Sequence, residues 1–366
     1  MKVPFNYLPF EFEDNVKIFD RWKQLIQSTE FTLGQYMEEF ENKFADYIGS
    51  KHCFGTNCGT DALILSLKSL GIGHGDEVVT VCNTFYATVG AIVAVGAKPV
   101  FVDSNHRYQI DPDLIKKAIT KKTRAIMPVH WGGASPEIEK IIEIANNFQL
   151  EIIEDACMGI GAKINNKSPG TFGKLGAFSM HPLKSLNVMG DGGMVVTDDN
   201  HLASWIKKYR NHGMIDRDNI DLWGVNMRLQ PLQAVVAYFG LNKIEEVIKI
   251  RNKNAKILDN ELCKLAPYVK VPQRLENYIE TFALYMILCD ERDELVKYLN
   301  SKKIEVKIHY PLPLHLQKAS SNLGYKAGDF PIAEEQSSKL VTLPVHQYLS
   351  ENQINFMIEN IFAFYG

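Results

Sequence analysis

The chain has 366 residues, of which 40 are basic and 43 acidic, and its formal net charge at pH 7 is −3. This length exceeds the roughly 250–300 residues at which a single core stops growing, so it predicts one large domain and a smaller companion. The apolar fraction of 46% is typical of a globular protein, and the absence of a dense Lys/Arg block or an uninterrupted apolar run of about 18–20 residues argues against nucleic acid and membrane as partners.

The first part of the chain alternates short apolar runs with helical patterns, which is typical of a parallel α/β sheet. The runs are nearly continuous in apolar residues, as expected for strands buried on both faces. We predict strands at Glu77–Thr80, Pro99–Val102, Ala125–Val129, Glu151–Glu154, Gly176–Ser179 and Met194–Thr197. We predict helices at Asp61–Leu70, Tyr86–Val95, Asp111–Ile119 and Ile138–Asn147. Sheets of this kind bind ligands at the carboxyl ends of their strands.

A long charged helix is predicted from Leu232 to about Leu265, with a solvated face that carries the chain out of the large domain. We therefore expect a large domain over residues 1–245 and a small domain over 246–366, with the first 30 or so residues packing on the small domain. The small domain is predicted to contain strands at Thr281–Cys289 and Val306–His309 and helices at Arg292–Ser301 and Glu351–Phe364.

The six cysteines form no CxxC pair and have no histidine at zinc-ligand spacing. Neither a metal site nor a disulfide framework is expected. The start of the chain has acidic residues and a proline where a signal peptide needs an apolar run. A reducing cytoplasm is the expected compartment.

Two segments follow the pattern of an anionic-cofactor site. Small and hydroxyl residues at Thr56–Ala62 precede a helix, where backbone amides and the helix dipole can hold a phosphate, and Gly59 and Thr60 are the candidate contacts. On this segment alone, a plain helix cap without a ligand is the favoured alternative. Asp155 follows a buried strand, where a carboxylate needs a cation such as a protonated pyridine nitrogen; capping the next turn is the alternative.

Lys184 is the candidate nucleophile. It lies between glycines and a proline, with the apolar neighbours Leu183, Leu186 and Val188. Apolar surroundings disfavour the ammonium form and make a neutral amine available for Schiff-base chemistry. An ordinary surface lysine is the alternative that remains open from this segment alone.

The order of these motifs carries a family resemblance. The segments are TNCGTDALILSLKSLGIGHGDEVVT, NTFYAT, AIMPVHWGG, IIEDAC, FSMHPLKS with GDGGMVVTDD, RNHG, GVNMRLQPLQA and HYPLPLHLQ. Together, from about Thr32 to the C-terminus, the chain resembles the DegT/DnrJ/StrS family of sugar aminotransferases. The resemblance implies the fold-type-I architecture, with a mostly parallel seven-stranded sheet flanked by helices and a smaller C-terminal α+β domain.

The resemblance also implies the activity, which is transamination of a nucleotide-linked keto-sugar with pyridoxal phosphate as cofactor, glutamate as donor and pyridoxamine phosphate as the intermediate cofactor form. By matching positions, Lys184 would bind the cofactor as a Schiff base and Asp155 would pair with its ring nitrogen. Phe85 would stack on the ring. The phosphate would be held by Gly59, Thr60 and Ser179 and by Asn226 of the other subunit, which implies a homodimer with shared active sites.

For the substrate, the resemblance suggests His309, Tyr310 and His315 at the mouth of the site, with Arg228 positioning a charged group. Structural histidines in a proline-rich turn are the alternative. Met158 stands near the cofactor where the family commonly has glutamine, and it cannot donate a hydrogen bond. Ile160 and Leu183 likewise replace a usual histidine and threonine.

Three other functions are compatible with parts of the sequence. A sugar dehydratase of the same family would carry histidine at the position of Lys184. A pyridoxal-phosphate-binding regulatory protein without turnover is the alternative from another class. A nicotinamide dehydrogenase is suggested only by the glycines of Gly71–Gly75, which follow a helix and not a strand.

Overall fold

The computed structural model describes all 366 residues of the chain. Its helices are α1 (Leu8–Glu11), α2 (Val16–Ser28), α3 (Gln35–Ile48), α4 (Gly59–Ser69), α5 (Tyr86–Ala94), α6 (Pro112–Ala118), α7 (Ile138–Phe148), α8 (Asn200–Tyr209), α9 (Pro231–Leu241), α10 (Ile244–Leu262), α11 (Arg292–Ser301), α12 (Pro331–Lys339) and α13 (Glu351–Tyr365). Its strands are β1 (His52–Thr56), β2 (Glu77–Val81), β3 (Lys98–Val102), β4 (Thr123–Met127), β5 (Glu151–Asp155), β6 (Lys163–Ile164), β7 (Leu175–Ser179), β8 (Gly193–Thr197), β9 (Val269–Lys270), β10 (Tyr278–Ile279), β11 (Tyr285–Cys289) and β12 (Leu340–Leu343).

A seven-stranded sheet organises most of the chain, in the order β1-β8-β7-β5-β4-β2-β3. Strands β7, β5, β4, β2 and β3 pair in parallel, and β8 is antiparallel to both of its neighbours. The predicted mostly parallel sheet flanked by helices is therefore confirmed. β1, which the sequence analysis did not identify, completes it.

The sheet is largely buried on both faces because its strands are mostly apolar. All five residues of β2, β7 and β8 are buried. Helices α4 and α8 pack on one face of the sheet through a core that includes Leu63, Leu65 and Ile206. Because β1, β2, β4, β5 and β7 run in the same direction, their carboxyl ends lie at one edge, and the loops that follow them share that edge.

The predicted charged helix from Leu232 to Leu265 is wrong as a single element. The chain forms α9 and α10, separated at Asn242 and Lys243. One face of α10 is solvated as expected, with Glu245 and Lys249 exposed, while Arg251, Asn254 and Leu258 on the other face are buried. The charged composition of this stretch gives no sign of the break between the two helices.

The C-terminal part of the chain contains a three-stranded antiparallel sheet in the order β12-β11-β9. Helices α10, α11 and α13 enclose its core, to which Val3 of the N-terminal segment contributes. The strand predicted at Val306–His309 does not form, and only an isolated bridge joins Lys307 to Thr342. Along the whole chain, no helix has both the length and the apolar character that crossing a bilayer requires.

Candidate active site

A cavity lies at the carboxyl edge of the seven-stranded sheet, beside the C-terminal part of the chain, and its empty space of about 1300 Å³ opens to solvent. Nine of the twelve residues that the sequence analysis singled out line it. They are Gly59, Thr60, Phe85, Asp155, Met158, Ser179, Lys184, His309 and Tyr310. Each of the first six follows the carboxyl end of a strand or lies at that end, which explains why residues far apart in sequence share one cavity.

Asp155 is a buried carboxylate without a cationic partner. It ends β5, and the side chain of Thr88 donates to its Oδ2 at 2.7 Å while the backbone amide of Cys157 donates to its Oδ1 at 3.2 Å. The residue is 4% exposed, and no lysine, arginine or histidine pairs with it in the chain. A buried carboxylate is costly unless it is paired, so this group suits a protonated ring nitrogen in the cavity.

Lys184 lies in the irregular segment between β7 and β8, with its side chain on the same cavity. Enclosure by protein atoms lowers the pKa of its amine below the ordinary value, although Cys157 and Asp155 act in the opposite direction. The backbone carbonyl of Lys184 accepts a hydrogen bond from the Tyr7 hydroxyl at 2.9 Å, which fixes this segment to the N-terminus of the chain. A neutral amine is the form that condenses with an aldehyde.

The start of α4 forms a cradle in which backbone amides are left uncovered at Gly59. Cys58 caps the helix through its Sγ, which accepts from the Asp61 amide at 3.4 Å. A Cβ at Gly59 would lie 2.8 Å from both the Cys157 Sγ and the Ser179 Cβ, so only glycine allows the start of the helix to lie this close to Cys157 and Ser179. The first-turn amides of the helix have no carbonyl partners, and together with the Ser179 hydroxyl they can hold an anionic phosphate.

One wall of the cavity is aromatic. The Phe85 ring is 6.1 Å from the Tyr310 ring, which in turn is 5.1 Å from Tyr86 and 5.9 Å from Trp131. His309 adjoins this wall, and its Nδ1 is 3.0 Å from the Thr342 Oγ1. Burial and then the nearby Lys184 amine lower the pKa of His309 to about 4, so the imidazole is neutral near pH 7.

Three of the singled-out residues lie outside this cavity. His315 is 2% exposed; its Nε2 is 3.0 Å from Glu334 Oε1 and its ring packs on Phe330. The structure therefore does not bring His315 to the substrate mouth. Asn226 and Arg228 lie on the segment before α9 and do not line the cavity of their own chain. The Arg228 guanidinium donates to Asn211 Oδ1, and the Asn226 carbonyl oxygen accepts from the Asn57 side chain at 3.3 Å.

Several residues of the cavity escaped the sequence analysis. Tyr7, Trp131, Arg251 and His346 all line it. Trp131 belongs to the motif AIMPVHWGG, but no site role was assigned to it, and the other three lie in segments without a site pattern. Thr88 lies one helical turn after Phe85 within NTFYAT, so the helix predicted from Tyr86 could have placed its hydroxyl beside Phe85. Arg251 and His346 come from the C-terminal part of the chain, and only the tertiary fold shows their position.

Comparison with known proteins gives a consistent result. The model of the DegT/DnrJ/EryC1/StrS aminotransferase family matches residues 13–362. The chain is 36% identical to the pleiotropic regulatory protein of Geobacillus stearothermophilus, over 100% of this chain and 99% of that protein. It is 33% identical to the UDP-2-acetamido-2-deoxy-3-oxo-D-glucuronate aminotransferase of Pseudomonas aeruginosa, over 92% of each. The crystal structure of DesV from Streptomyces venezuelae, solved with a ketimine intermediate, is 33% identical and matches 100% of this chain and 98% of that one with a TM-score of 0.96.

Proposed function

The chain belongs to the DegT/DnrJ/EryC1/StrS family of pyridoxal-phosphate-dependent sugar aminotransferases, and we propose that it transfers the amino group of glutamate to carbon 3 of a nucleotide-linked keto-sugar. The name of the Pseudomonas relative specifies a 3-oxo sugar on UDP, which favours carbon 3. The observation that carries the proposal is the pair formed by Asp155 and Lys184, a buried carboxylate without a cation and a lysine of lowered pKa on one cavity.

The residues of the cavity fit pyridoxal phosphate. The Asp155 carboxylate would pair with the protonated ring nitrogen, and Lys184 would bind the aldehyde carbon covalently. Gly59, Thr60 and Ser179 would hold the phosphate, since the missing side chain at Gly59 leaves the space that the phosphate needs. Phe85 would stack on the ring, and Met158 would contact it through apolar surface alone.

When bound, the cofactor supplies an electron sink for a carbanion at the reacting carbon. Asp155 keeps the ring nitrogen protonated, so the sink retains its positive charge. Lys184 Nζ removes the proton from the α-carbon of glutamate and later delivers a proton to the sugar carbon, because its lowered pKa makes the neutral amine available. The aromatic wall provides an apolar surface beside the reacting atoms, and His309 and Tyr310, which line the same cavity, would face the sugar.

We propose in addition that the active enzyme is a homodimer with shared sites. Asn226 is exposed and lies outside its own cavity, and the segment that leads to it exposes the apolar side chains of Ile215, Ile220 and Trp223, the last 88% exposed. Exposed apolar side chains in such number favour a covering partner. Asn226 would complete the phosphate site of the other subunit, and Arg228 would help to position a charged group of its substrate.

The cytoplasm is the proposed compartment. All six cysteines are free thiols in the chain, and burial raises the pKa of Cys157 beside the cofactor cradle well above its ordinary value. A reducing environment keeps such thiols in this form. Fractionation of cells that express the native chain tests this location.

Replacement of Lys184 tests the function. Purified wild type incubated with pyridoxal phosphate is expected to develop the visible absorption of the bound cofactor and to consume glutamate with a 3-keto nucleotide sugar in preference to the 4-keto isomer. Lys184→Ala should lose both properties, whereas replacement of the exposed Lys116 by Ala should leave them unchanged. Wild type that binds the cofactor but never consumes glutamate with any keto-sugar would be a binding protein and would contradict the proposal.

Subunit complementation tests the shared site. Lys184→Ala and Asn226→Ala are each expected to be nearly inactive, because each homodimer lacks one component in both sites. When the two variants are unfolded, mixed and refolded, half of the sites in a mixed dimer have neither change, so activity should return. Failure of activity to return, with dimers confirmed by light scattering, would contradict the proposed contribution of Asn226.

A further inference from the structure

Arg251 is a buried cation without a counter-anion. It lies on α10 and is 2% exposed. Its Nε donates to Gln347 Oε1 at 3.0 Å, its Nη1 is 3.5 Å from the Phe282 carbonyl oxygen, and its Nη2 has no partner. The nearest acidic group in this network, Glu11, is held by Gln347 and not by the arginine. A buried guanidinium in this state needs an anion from outside the chain.

His346 offers a second unpaired atom beside the same part of the cavity. Its Nε2 is 3.0 Å from the Pro4 carbonyl oxygen, and since a carbonyl only accepts, Nε2 carries the hydrogen and Nδ1 is an acceptor. That Nδ1 is buried and has no partner. Burial is the main cause that lowers the pKa of His346 to about 4, with the charge of Arg251 acting in the same direction, so the imidazole is neutral.

The position of Arg251 indicates which part of a substrate would meet it. Its guanidinium carbon is 5.2 Å from the centre of the Tyr7 ring, and the Tyr7 hydroxyl bonds the backbone of Lys184. A single side chain, that of Tyr7, therefore lies between the arginine and the backbone of the lysine that is proposed to hold the reacting centre. A small anion attached close to the reacting carbon could contact the arginine at this position. The diphosphate of a nucleotide is a poorer fit, because its nucleoside needs room toward the cavity mouth.

We propose that Arg251 and His346 form a carboxylate subsite, in which Arg251 Nη2 donates to a carboxylate oxygen of the substrate and His346 Nδ1 accepts from an N–H or O–H group next to it. The subsite rests on the proposed function, because it serves the substrates of that reaction. The carboxylate belongs either to the amino donor or to a uronic-acid sugar. Gln347 is a positioning residue, since it orients the guanidinium through Nε.

The test compares Arg251→Gln and Arg251→Lys with a matched control, Arg124→Gln, which removes an exposed arginine from β4. All proteins are loaded with pyridoxal phosphate, and the shift of the cofactor absorption is titrated with glutarate, a dicarboxylate that cannot react. The first half-reaction is then followed with glutamate. The reverse reaction is followed with a 3-amino nucleotide sugar whose sugar ring has no carboxylate and with its uronic-acid counterpart.

If the donor provides the carboxylate, Arg251→Gln should weaken glutarate binding and raise the KM for glutamate by about 10- to 100-fold, the range for one charge-assisted hydrogen bond. The variant should convert the amino-sugar without a carboxylate as fast as wild type does. If the sugar provides it, only the uronic-acid substrate should be affected. Arg251→Lys should recover part of the binding, because it keeps the positive charge but loses the planar set of N–H donors of the guanidinium.

Equal binding of glutarate and equal kinetics with all three substrates in Arg251→Gln and wild type would overturn the subsite. The proposed function would survive that result, provided that wild type still takes up the cofactor and converts the keto-sugar. Should Arg251→Gln fail to fold, Arg251→Lys and the thermal stabilisation of wild type by glutarate provide the same comparison. A wild type that does not bind glutarate and that also shows no preference for the uronic-acid sugar over the sugar without a carboxylate would overturn it as well.

Discussion

Thr88 and Asp155 form a buried hydrogen bond of 2.7 Å that joins helix α5 to the end of β5. The Thr88 Oγ1 is also 3.0 Å from the Thr84 Oγ1, so two hydroxyl groups extend the network from the carboxylate into the start of α5. The hydroxyl occupies Oδ2 and the Cys157 amide occupies Oδ1, which fixes the plane of the carboxylate. Asp155 also lines the cavity, where the ring nitrogen is proposed to lie.

The Thr88 hydroxyl is predicted to orient Asp155. Thr88→Val keeps the shape of the side chain but removes the donor, and turnover should fall by about 10-fold, as expected for a hydrogen bond to a charged group worth about 1.5 kcal/mol. Asp155→Asn removes the charge itself and should reduce turnover by at least about 100-fold. Steady-state kinetics with saturating cofactor measure both. Full activity in Asp155→Asn would contradict the role of the carboxylate.

Gly59→Ala is predicted to weaken cofactor binding. The new Cβ would lie 2.8 Å from the Cys157 Sγ and the Ser179 Cβ, so the cradle at the start of α4 has to widen. Equilibrium dialysis should show a higher Kd for pyridoxal phosphate. Gly90→Ala on α5 is the control, because its Cβ meets nothing within 4 Å and should stabilise the helix by up to about 1 kcal/mol. Unchanged cofactor affinity in Gly59→Ala would argue against a phosphate at this helix.

The sequence was sufficient for those parts of the fold that depend on local pattern. Strands with continuous apolar residues, such as Glu77–Val81, were predicted within one or two residues, because burial on both faces leaves a direct signature. Asp155 could be singled out because it directly follows a buried strand, and Lys184 because its sequence neighbours are apolar. The family resemblance then suggested their roles.

The remainder depended on contacts between distant segments. His315 is bound to Glu334, and Arg251 reaches the cavity only because α10 packs against the C-terminal core. Charged composition suggests a solvated face for the helix that carries this arginine, and the family resemblance suggests a position at the substrate mouth for that histidine. Neither environment can be read from neighbouring residues, because burial of a polar side chain is decided by what the fold brings to it.

Glu154 is predicted to be the most important buried charge for stability. Its carboxylate accepts from the amides of Gly170, Phe172 and Gly173 at 2.6–2.8 Å and lies 2.9 Å from the His130 Nε2. Glu154→Ala leaves these groups unpaired in a fully buried site and should lower the free energy of unfolding by about 3–5 kcal/mol. Chemical denaturation measures it.

The control for Glu154 lies on the same strand. Glu151 is exposed, and Glu151→Ala should change the free energy of unfolding by no more than about 0.5 kcal/mol. Equal effects of the two substitutions would show that the buried network contributes little. The cofactor should be present at the same concentration throughout, because a bound ligand adds to the stability of the folded state.

His346 is predicted to make the folded chain sensitive to acid. Burial lowers its pKa to about 4 in the folded state, while an unfolded histidine titrates near 6.5. Between these pH values the unfolded chain binds more protons than the folded chain, so the free energy of unfolding rises with pH. As the pH falls from about 6.5 to about 4, this residue should lower the free energy of unfolding by up to about 3 kcal/mol. His346→Gln should therefore lose less stability than wild type over this range in denaturant titrations. Replacement of the exposed His106 by Gln should leave the pH profile unchanged, and parallel profiles for His346→Gln and wild type would contradict the assignment.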